Sequence, residues 1–393
     1  MNILYLTGYR YPSGLDEPIT SGDLRYSFTL SRALVRNGHK VTVVTRKSGS
    51  DEAENQLDDV KILRYKSEFG KVFSTSFDIS LRRMKLFKRA LVDADLVICN
   101  SPLTLEHLIK INKPIIYIAS GLEDIKNYEL SIKEVVSYMA IKLLRDPMKK
   151  LTWKKSVRVN TTASSEDTTL AGWGIPETKI GTISSSVDTT HFYQQKAQSE
   201  KLRDILGYDK SDNIILSVSR FTPAKGILET IMAFNKLSIA NKKLLIVGVH
   251  HSHNNGYYDK VIESISQSKH TNDIKILENV PEAELPIYYS LADVTSVFSI
   301  GYDPLPTVII ESMACGTPVV STYYKTREQF IIDGKNGIFV GEADTIGWAE
   351  RVSEVLIDRA LHERLSNNGL ATVKKNFNAN DIAEKIIGIV EHE

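Results

Sequence analysis

Short apolar runs alternate with longer stretches in which apolar residues recur every three or four positions, over almost the whole chain. This is the pattern of βαβ units, because a strand buried on both faces reads as an unbroken apolar run and the helix covering it shows an apolar stripe. The run NILYL from Asn2 predicts a buried strand, Leu24 to Arg36 an amphipathic helix, Gly38 its left-handed cap, and KVTVVT from Lys40 the next strand. DLVICN and PIIYIA, from Asp95 and Pro114, continue the same sheet. A polar stretch from Gln194 to Glu200, followed by the helix KLRDIL, predicts an interdomain connection. The pattern then restarts: NIILSVS, KLLIVG, DIKIL, VTSVFS, PVVST and GIFV are six strand candidates separated by helical segments. The expectation is an α/β chain of two facing Rossmann-like, doubly wound parallel-sheet domains, over 1–192 and 193–378, with an interdomain cleft. Ligands of open α/β sheets bind at the carboxyl ends of the strands.

Composition fits that division. The chain has 393 residues, 42% hydrophobic and 25% charged, and a formal net charge of +1, which argues against disorder and against a generic nucleic-acid binder. The neutrality conceals a split: 28 basic face 22 acidic side chains up to Gln195, and 21 face 26 beyond it. The start, MNILYLTGYR, lacks a basic n-region and no run approaches the length of a spanning helix, so a cytoplasmic protein is expected. Cys99 and Cys315 are too few for a disulfide framework or a cysteine-rich zinc site and read as structural thiols.

The most informative chemistry lies in DPLPTVIIESMACGTPVV, Asp303 to Val320. With Thr307 opening a helix, Glu311 falls about one turn inside it and Asp303 stays in the loop, so two carboxylates bracket a helix N-terminus. The backbone N–H groups of Thr307 and Val308, unlike Pro304 and Pro306, can hold a phosphate there. One carboxylate can then take ribose hydroxyls and the other sugar hydroxyls. The bland alternative makes Glu311 a dipole complement and Asp303 a turn residue, but Glu311 sits between VII and MACG, where an unpaired carboxylate costs several kcal/mol. In SVSRFTPAKG, Ser219 and Arg220 end a strand and Lys225 follows five residues later. Two cations at a strand's carboxyl end can neutralise a diphosphate and offset its repulsion from the carboxylates. Neither a GxxxxGK[ST] loop nor a GxGxxG fingerprint is present.

These segments resemble the retaining nucleotide-sugar-dependent glycosyltransferases of family 4, also known as glycosyl transferases group 1, which have the GT-B fold. The likeness spans nearly the whole chain: NILYLTGY with Ser21-Gly22, RNGHKVTVVT, IPETKIGTISSSVD, SRFTPAKG, VPEAELPIYYSLADV, the carboxylate pair with MACGTPVV, and DGKNGIFV. It implies a metal-independent hexosyltransferase without a cofactor, moving a sugar from a nucleoside diphosphate sugar, UDP before GDP, to an acceptor hydroxyl with retained configuration. The implied acceptor is a glycan, a lipid-linked precursor or a small molecule. Arg220 and Lys225 would act on the diphosphate, Glu311 on the ribose, Asp303 on the sugar and the backbone of Asn279 and Val280 on the base. Ser219, Leu305, Thr307 and Val308 complete the implied donor set. Ser21, Gly22 and Ser120 belong to the implied acceptor and donor loops. A helix over 379–393 is implied to return to the first domain. Three positions depart from the family pattern: Asp303 stands for a Glu, Ser120 for a His, and Ser185-Ser186 for Asn-Gly.

Other features keep two readings. The long loop from Gly8 to Ser21 is either a substrate-entry segment or a surface excursion. His250, His251 and His253 lack carboxylate or cysteine partners at ligand spacing and read as a solvated loop. Basic residues gather at Arg82, Arg83, Lys85, Lys88 and Arg89, and again at Lys142, Arg145, Lys149, Lys150, Lys154, Lys155 and Arg158, beside the apolar VVSYMAIKLL. They suit either an anionic membrane surface at the inner face of the cell or a solvated helix face. A sugar-nucleotide epimerase or hydrolase, and a catalytically silent sugar-nucleotide-binding protein, are the alternative functions.

Overall fold

The computed structural model of the protein describes residues 1–8, 10–14, 16–18, 22–49, 51–65, 88–100, 112–119, 153, 156–162, 167–172, 174–249, 256–301, 303 and 306–391. The chain forms two compact units, one of Met1–Gly14, Ser21–Ser185 and Ala379–Glu393, the other of Leu15–Thr20 and Ser186–Asn378. The change of unit falls at Ser185–Ser186, ahead of the boundary expected at 192, because Val187 and Phe192 pack into the second unit's core.

In the first unit, among the described residues, eight strands run in the order β3-β4-β2-β1-β5-β6-β7-β8. They are β1 (Asn2–Leu6), β2 (Lys40–Arg46), β3 (Glu54–Leu57), β4 (Val60–Tyr65), β5 (Leu96–Cys99), β6 (Ile115–Ala119), β7 (Arg158–Thr161) and β8 (Ile180–Thr182). All neighbours are parallel except β3 and β4, a hairpin turned by Asp58 and Asp59, both at positive φ as a type I′ turn requires. The strands β1, β2, β5 and β6 were legible as apolar runs. The sequence pattern missed β3, β7 and β8 because ENQL, RVNT and IGT are short and polar, and missed β4 because Lys61 and Arg64 interrupt the apolar residues of VKILRY. Helix α1 (Gly22–Arg36) ends on Gly38 at φ 84, whose N–H reaches the Val35 carbonyl at 2.9 Å while His39 reaches Leu34 at 3.1 Å. The final helix, Ala379–Glu391, belongs to this unit: Asn380 accepts from Arg36 Nε at 3.1 Å through its side chain and from Asn37 Nδ2 at 2.9 Å through its backbone. A short helix, α2 (Asp167–Gly172), lies between β7 and β8.

The second unit opens with α3 (Lys196–Ile205), which starts inside the stretch expected as a polar connection; Ser199, buried, seals its first turn. A wholly parallel sheet follows in the order β11-β10-β9-β12-β13-β14. Its strands are β9 (Asn213–Arg220), β10 (Lys242–Val249), β11 (Ile274–Glu278), β12 (Val294–Val297), β13 (Val319–Thr322) and β14 (Ile338–Val340), at the six places the apolar runs predict. Both faces are covered, so successive residues serve different cores: Leu245 and Val247 enter one hydrophobic cluster, Leu244 and Ile246 the other. The covering helices are α4 (Ile227–Lys236), α5 (Tyr257–Ser266), α6 (Leu285–Leu291), α7 (Val308–Ala314), α8 (Thr345–Ile357) and α9 (Arg359–Asn376). Among the described residues no helix is long and apolar enough to cross a membrane.

Candidate active site

The second sheet reverses its order at β9. From there the chain steps outward through β10 and β11 on one side, then returns to place β12, β13 and β14 on the other. The chain leaves β9 and β12 at neighbouring carboxyl ends for helices that pack into different cores, Ile227 and Ile231 in one and Ile309 and Ile310 in the other, and it is at such a switch point that open α/β sheets bind their ligands. Residues 221–226 follow one strand and residues 298–301 the other, and the two segments are stitched together. The Ile300 N–H donates to the Ala224 carbonyl at 3.1 Å. Gly226, at φ 63, brings its backbone so close to Phe298 that a Cβ would lie 1.9 Å from the Phe298 carbonyl oxygen. No other residue fits there.

This stitching joins Lys225 to Asp303. Lys225 Nζ donates to Asp303 Oδ1 at 2.6 Å, and both side chains are largely buried, at 19% and 13% exposure. The other oxygen, Oδ2, accepts from Ser299 Oγ at 2.8 Å and from Arg327 Nη2 at 3.3 Å. Arg327 lies in the turn after β13 and is fully buried. It also donates to the Asp303 carbonyl at 2.7 Å, to Ser299 Oγ at 2.9 Å, to Ser321 Oγ at 2.8 Å and to the Thr322 carbonyl at 3.0 Å. Burial alone would push the Asp303 carboxyl up, but the Lys225 ammonium, the Arg327 guanidinium and the two hydrogen bonds outweigh it and hold the group at about 2. Asp303 is an anion at any physiological pH.

Glu311 stands in the first turn of α7, behind Thr307 at the N-cap position. It is 1% exposed, and Tyr289 of α6 donates its hydroxyl to Oε2 at 2.8 Å. Burial and the Glu311 carboxylate together push the neighbouring Cys315 thiol up, which leaves it an inert core group. A carboxylate retained in an apolar helix face at this cost is fixed in place by the tyrosine rather than by solvent. Thr307 and Val308 open the helix beside Asp303, and Leu305 lies outside the described residues.

Arg220 ends β9 with its side chain exposed, and no carboxylate among the described residues pairs with it. Ser219 precedes it, paired in register with Gly248 of β10. Gly248 is bare because a Cβ would stand 2.6 Å from both the Ser219 carbonyl oxygen and the Phe221 ring. Asn279 follows β11 at φ 57, its N–H on the Gly248 carbonyl at 2.9 Å, with Val280 buried beside it. Thus Ser219, Arg220, Lys225, Asn279, Val280, Asp303, Thr307, Val308 and Glu311 all follow or adjoin the carboxyl ends of β9, β11 and β12 in one unit.

Gly22 begins α1 in the first unit. Ser21 and Ser120 lie outside the described residues, as do the three histidines and, apart from Lys88, Arg89 and Arg158, the two basic clusters. Sequence reasoning missed Arg327, Ser299 and Tyr289. Ser299 left a faint trace, as a polar residue just past an apolar strand. Arg327 left none, since TREQ reads as an ordinary solvated turn.

Comparison with known proteins gives the following likenesses. Residues 198–372 match the family model described as glycosyl transferases group 1, and residues 21–191 match that of glycosyltransferase family 4. An uncharacterized glycosyltransferase of Methanocaldococcus jannaschii is 27% identical over 368 residues, covering 92% of this chain and 91% of its own. An alpha-monoglucosyldiacylglycerol synthase of Acholeplasma laidlawii is 25% identical over 377 residues, covering 91% and 88%. Among solved structures, HepE of Anabaena in complex with UDP and glucose superposes with a TM-score of 0.77 at 17% identity over the full length of both chains.

Proposed function

Because this chain belongs to the group 1 glycosyltransferases, a transferase of GT-B fold, we propose that it moves a sugar from a nucleoside diphosphate sugar to an acceptor hydroxyl and retains the anomeric configuration. The observation that carries this reading is the cationic end of β9: Arg220 closes the strand with an exposed side chain, and Lys225, five residues on, meets a carboxylate that Arg327 also neutralises. Cleavage of the donor's glycosidic bond develops charge on the β-phosphate. Fixed cations aimed there stabilise the transition state more than the ground state. Arg220 and Lys225 take that role, Glu311 the ribose, the backbone of Asn279 and Val280 the base, and Asp303 the sugar side of the diphosphate. Charge neutralisation then falls to side chains, with no metal or cofactor in the scheme, and a donor phosphate oxygen accepts the acceptor's proton.

A UDP-sugar is the preferred donor, supported by the fold shared with a protein solved with UDP and glucose. A lipid-linked acceptor is supported by the relative named alpha-monoglucosyldiacylglycerol synthase. The first unit would take that acceptor, and its basic segments would dock an otherwise cytoplasmic enzyme on anionic lipid. Incubation with UDP-[14C]glucose and membrane lipid extract tests the reading. A labelled glycosylated product is expected; free glucose or an epimer would favour a hydrolase or epimerase, and binding without turnover a silent sugar-nucleotide binder.

A further inference from the structure

Lys225 and Asp303 alone make a neutral pair, which is a poor receptor for a dianionic diphosphate. Arg327 changes that balance, giving two cations to one carboxylate. We propose that Arg327 is a positioning residue for the donor diphosphate: through Ser299 and Asp303 it fixes the Lys225 ammonium and keeps the cluster net positive.

The geometry is that of a brace with two ends. One guanidinium nitrogen of Arg327 is tied to β13 through Ser321 Oγ at 2.8 Å and the Thr322 carbonyl at 3.0 Å. The other is tied to the loop after β12 through the Asp303 carbonyl at 2.7 Å and Ser299 Oγ at 2.9 Å. Its charged centre lies 4.7 Å over the Tyr324 ring, and Tyr324 in turn donates to the Gly301 carbonyl at 2.9 Å. Only a planar fork of donors spans both anchorages at once. Arg327 also supplies the second countercharge on Asp303 Oδ2, so Asp303 need not draw in more of Lys225 than the single bond to Oδ1. An ammonium carries three N–H donors, and two remain for phosphate oxygens. Burying a guanidinium at zero exposure is expensive, and Asp303 is the carboxylate that meets it directly among the described residues.

This inference rests on the assignment of Lys225 to the diphosphate, and the test separates the two. Calorimetry measures the affinities of UDP and of UMP, which lacks the β-phosphate, for the unmodified protein and for Arg327→Met, Arg327→Lys and Lys225→Ala, with folding followed by circular dichroism. Arg327→Met should lower the UDP-to-UMP preference by about tenfold, a difference of ~1.4 kcal/mol, with UMP binding little changed. Arg327→Lys should recover part of it, because it restores charge without the fork. A merely structural arginine would weaken both nucleotides alike, and that result overturns the proposal. If Arg327→Met fails to fold, Arg327→Lys decides alone: a preference equal to that of the unmodified protein contradicts the brace. A preference lost in Lys225→Ala and kept in the Arg327 variants overturns the role of Arg327 only. An unchanged preference in Lys225→Ala, or no UDP binding at all, overturns the assignment of Lys225 and this inference with it.

Discussion

Lys225 and Asp303 meet at 2.6 Å although 78 residues separate them in the chain. Their contact joins the loops that leave β9 and β12, the two strands flanking the switch point of the second sheet. Since Asp303 also receives Ser299 and Arg327, the ammonium of Lys225 is aimed before any ligand arrives. Preorganisation of this kind is what a leaving-group site needs.

Replacing either cation tests this directly. Lys225→Ala and Arg220→Ala should each lower turnover of a UDP-sugar on the order of 100-fold or more, with the circular dichroism spectrum unchanged. Turnover within a few-fold of the unmodified enzyme in both variants would remove them from the chemistry.

The depressed ionisation of Asp303 predicts how stability follows pH. The folded-state value near 2 lies below the ordinary 3.8, so the carboxylate contributes stability that is complete above pH 4 and lost as pH falls toward 2. Urea unfolding should find Asp303→Asn less stable by about 2 kcal/mol at pH 7, with the gap narrowing steadily below pH 4. A gap that stays constant down to pH 3 would show that the cations do not act on Asp303 in this way.

Much of this architecture was visible in the amino-acid pattern, for a physical reason. Strands β9, β10, β12 and β13 are largely buried on both faces, which is why Ile214, Ile215 and Leu216 form an unbroken apolar run. The β3–β4 hairpin carries ENQL at an exposed edge and left no such run. At the site, Glu311 stood out because a charge within apolar sequence is costly, Asp303 because it brackets the same helix start, and Lys225 because it follows the carboxyl end of a strand. Arg327 did not: its partner Asp303 lies 24 residues away, and only the folded sheet shows that a residue in a polar turn is fully buried.

Gly226 should be nearly irreplaceable. Its φ of 63 disfavours any side chain, and a Cβ would collide with the Phe298 carbonyl oxygen 1.9 Å away. Gly226→Ala should cost at least about 2 kcal/mol and displace Lys225, the adjacent residue. Thermal unfolding and UDP affinity should fall together; an alanine variant with unaltered melting temperature would contradict the close approach.

Tyr289 fixes the buried Glu311 with one hydroxyl at 2.8 Å. Removing only that oxygen, in Tyr289→Phe, should destabilise the protein by about 1 to 3 kcal/mol and raise the donor KM more than it lowers kcat. A variant as stable as the parent would mean that the carboxylate is held by other groups.

The proposed mechanism requires the diphosphate of a nucleotide sugar to sit on Arg220 and Lys225 at the carboxyl end of β9. A crystal structure of the protein with UDP measures this most directly. The β-phosphate oxygens should lie within hydrogen-bond distance of both side chains, with Lys225 still bonded to Asp303. Electron density for UDP elsewhere, or for a diphosphate that touches neither cation, would contradict it.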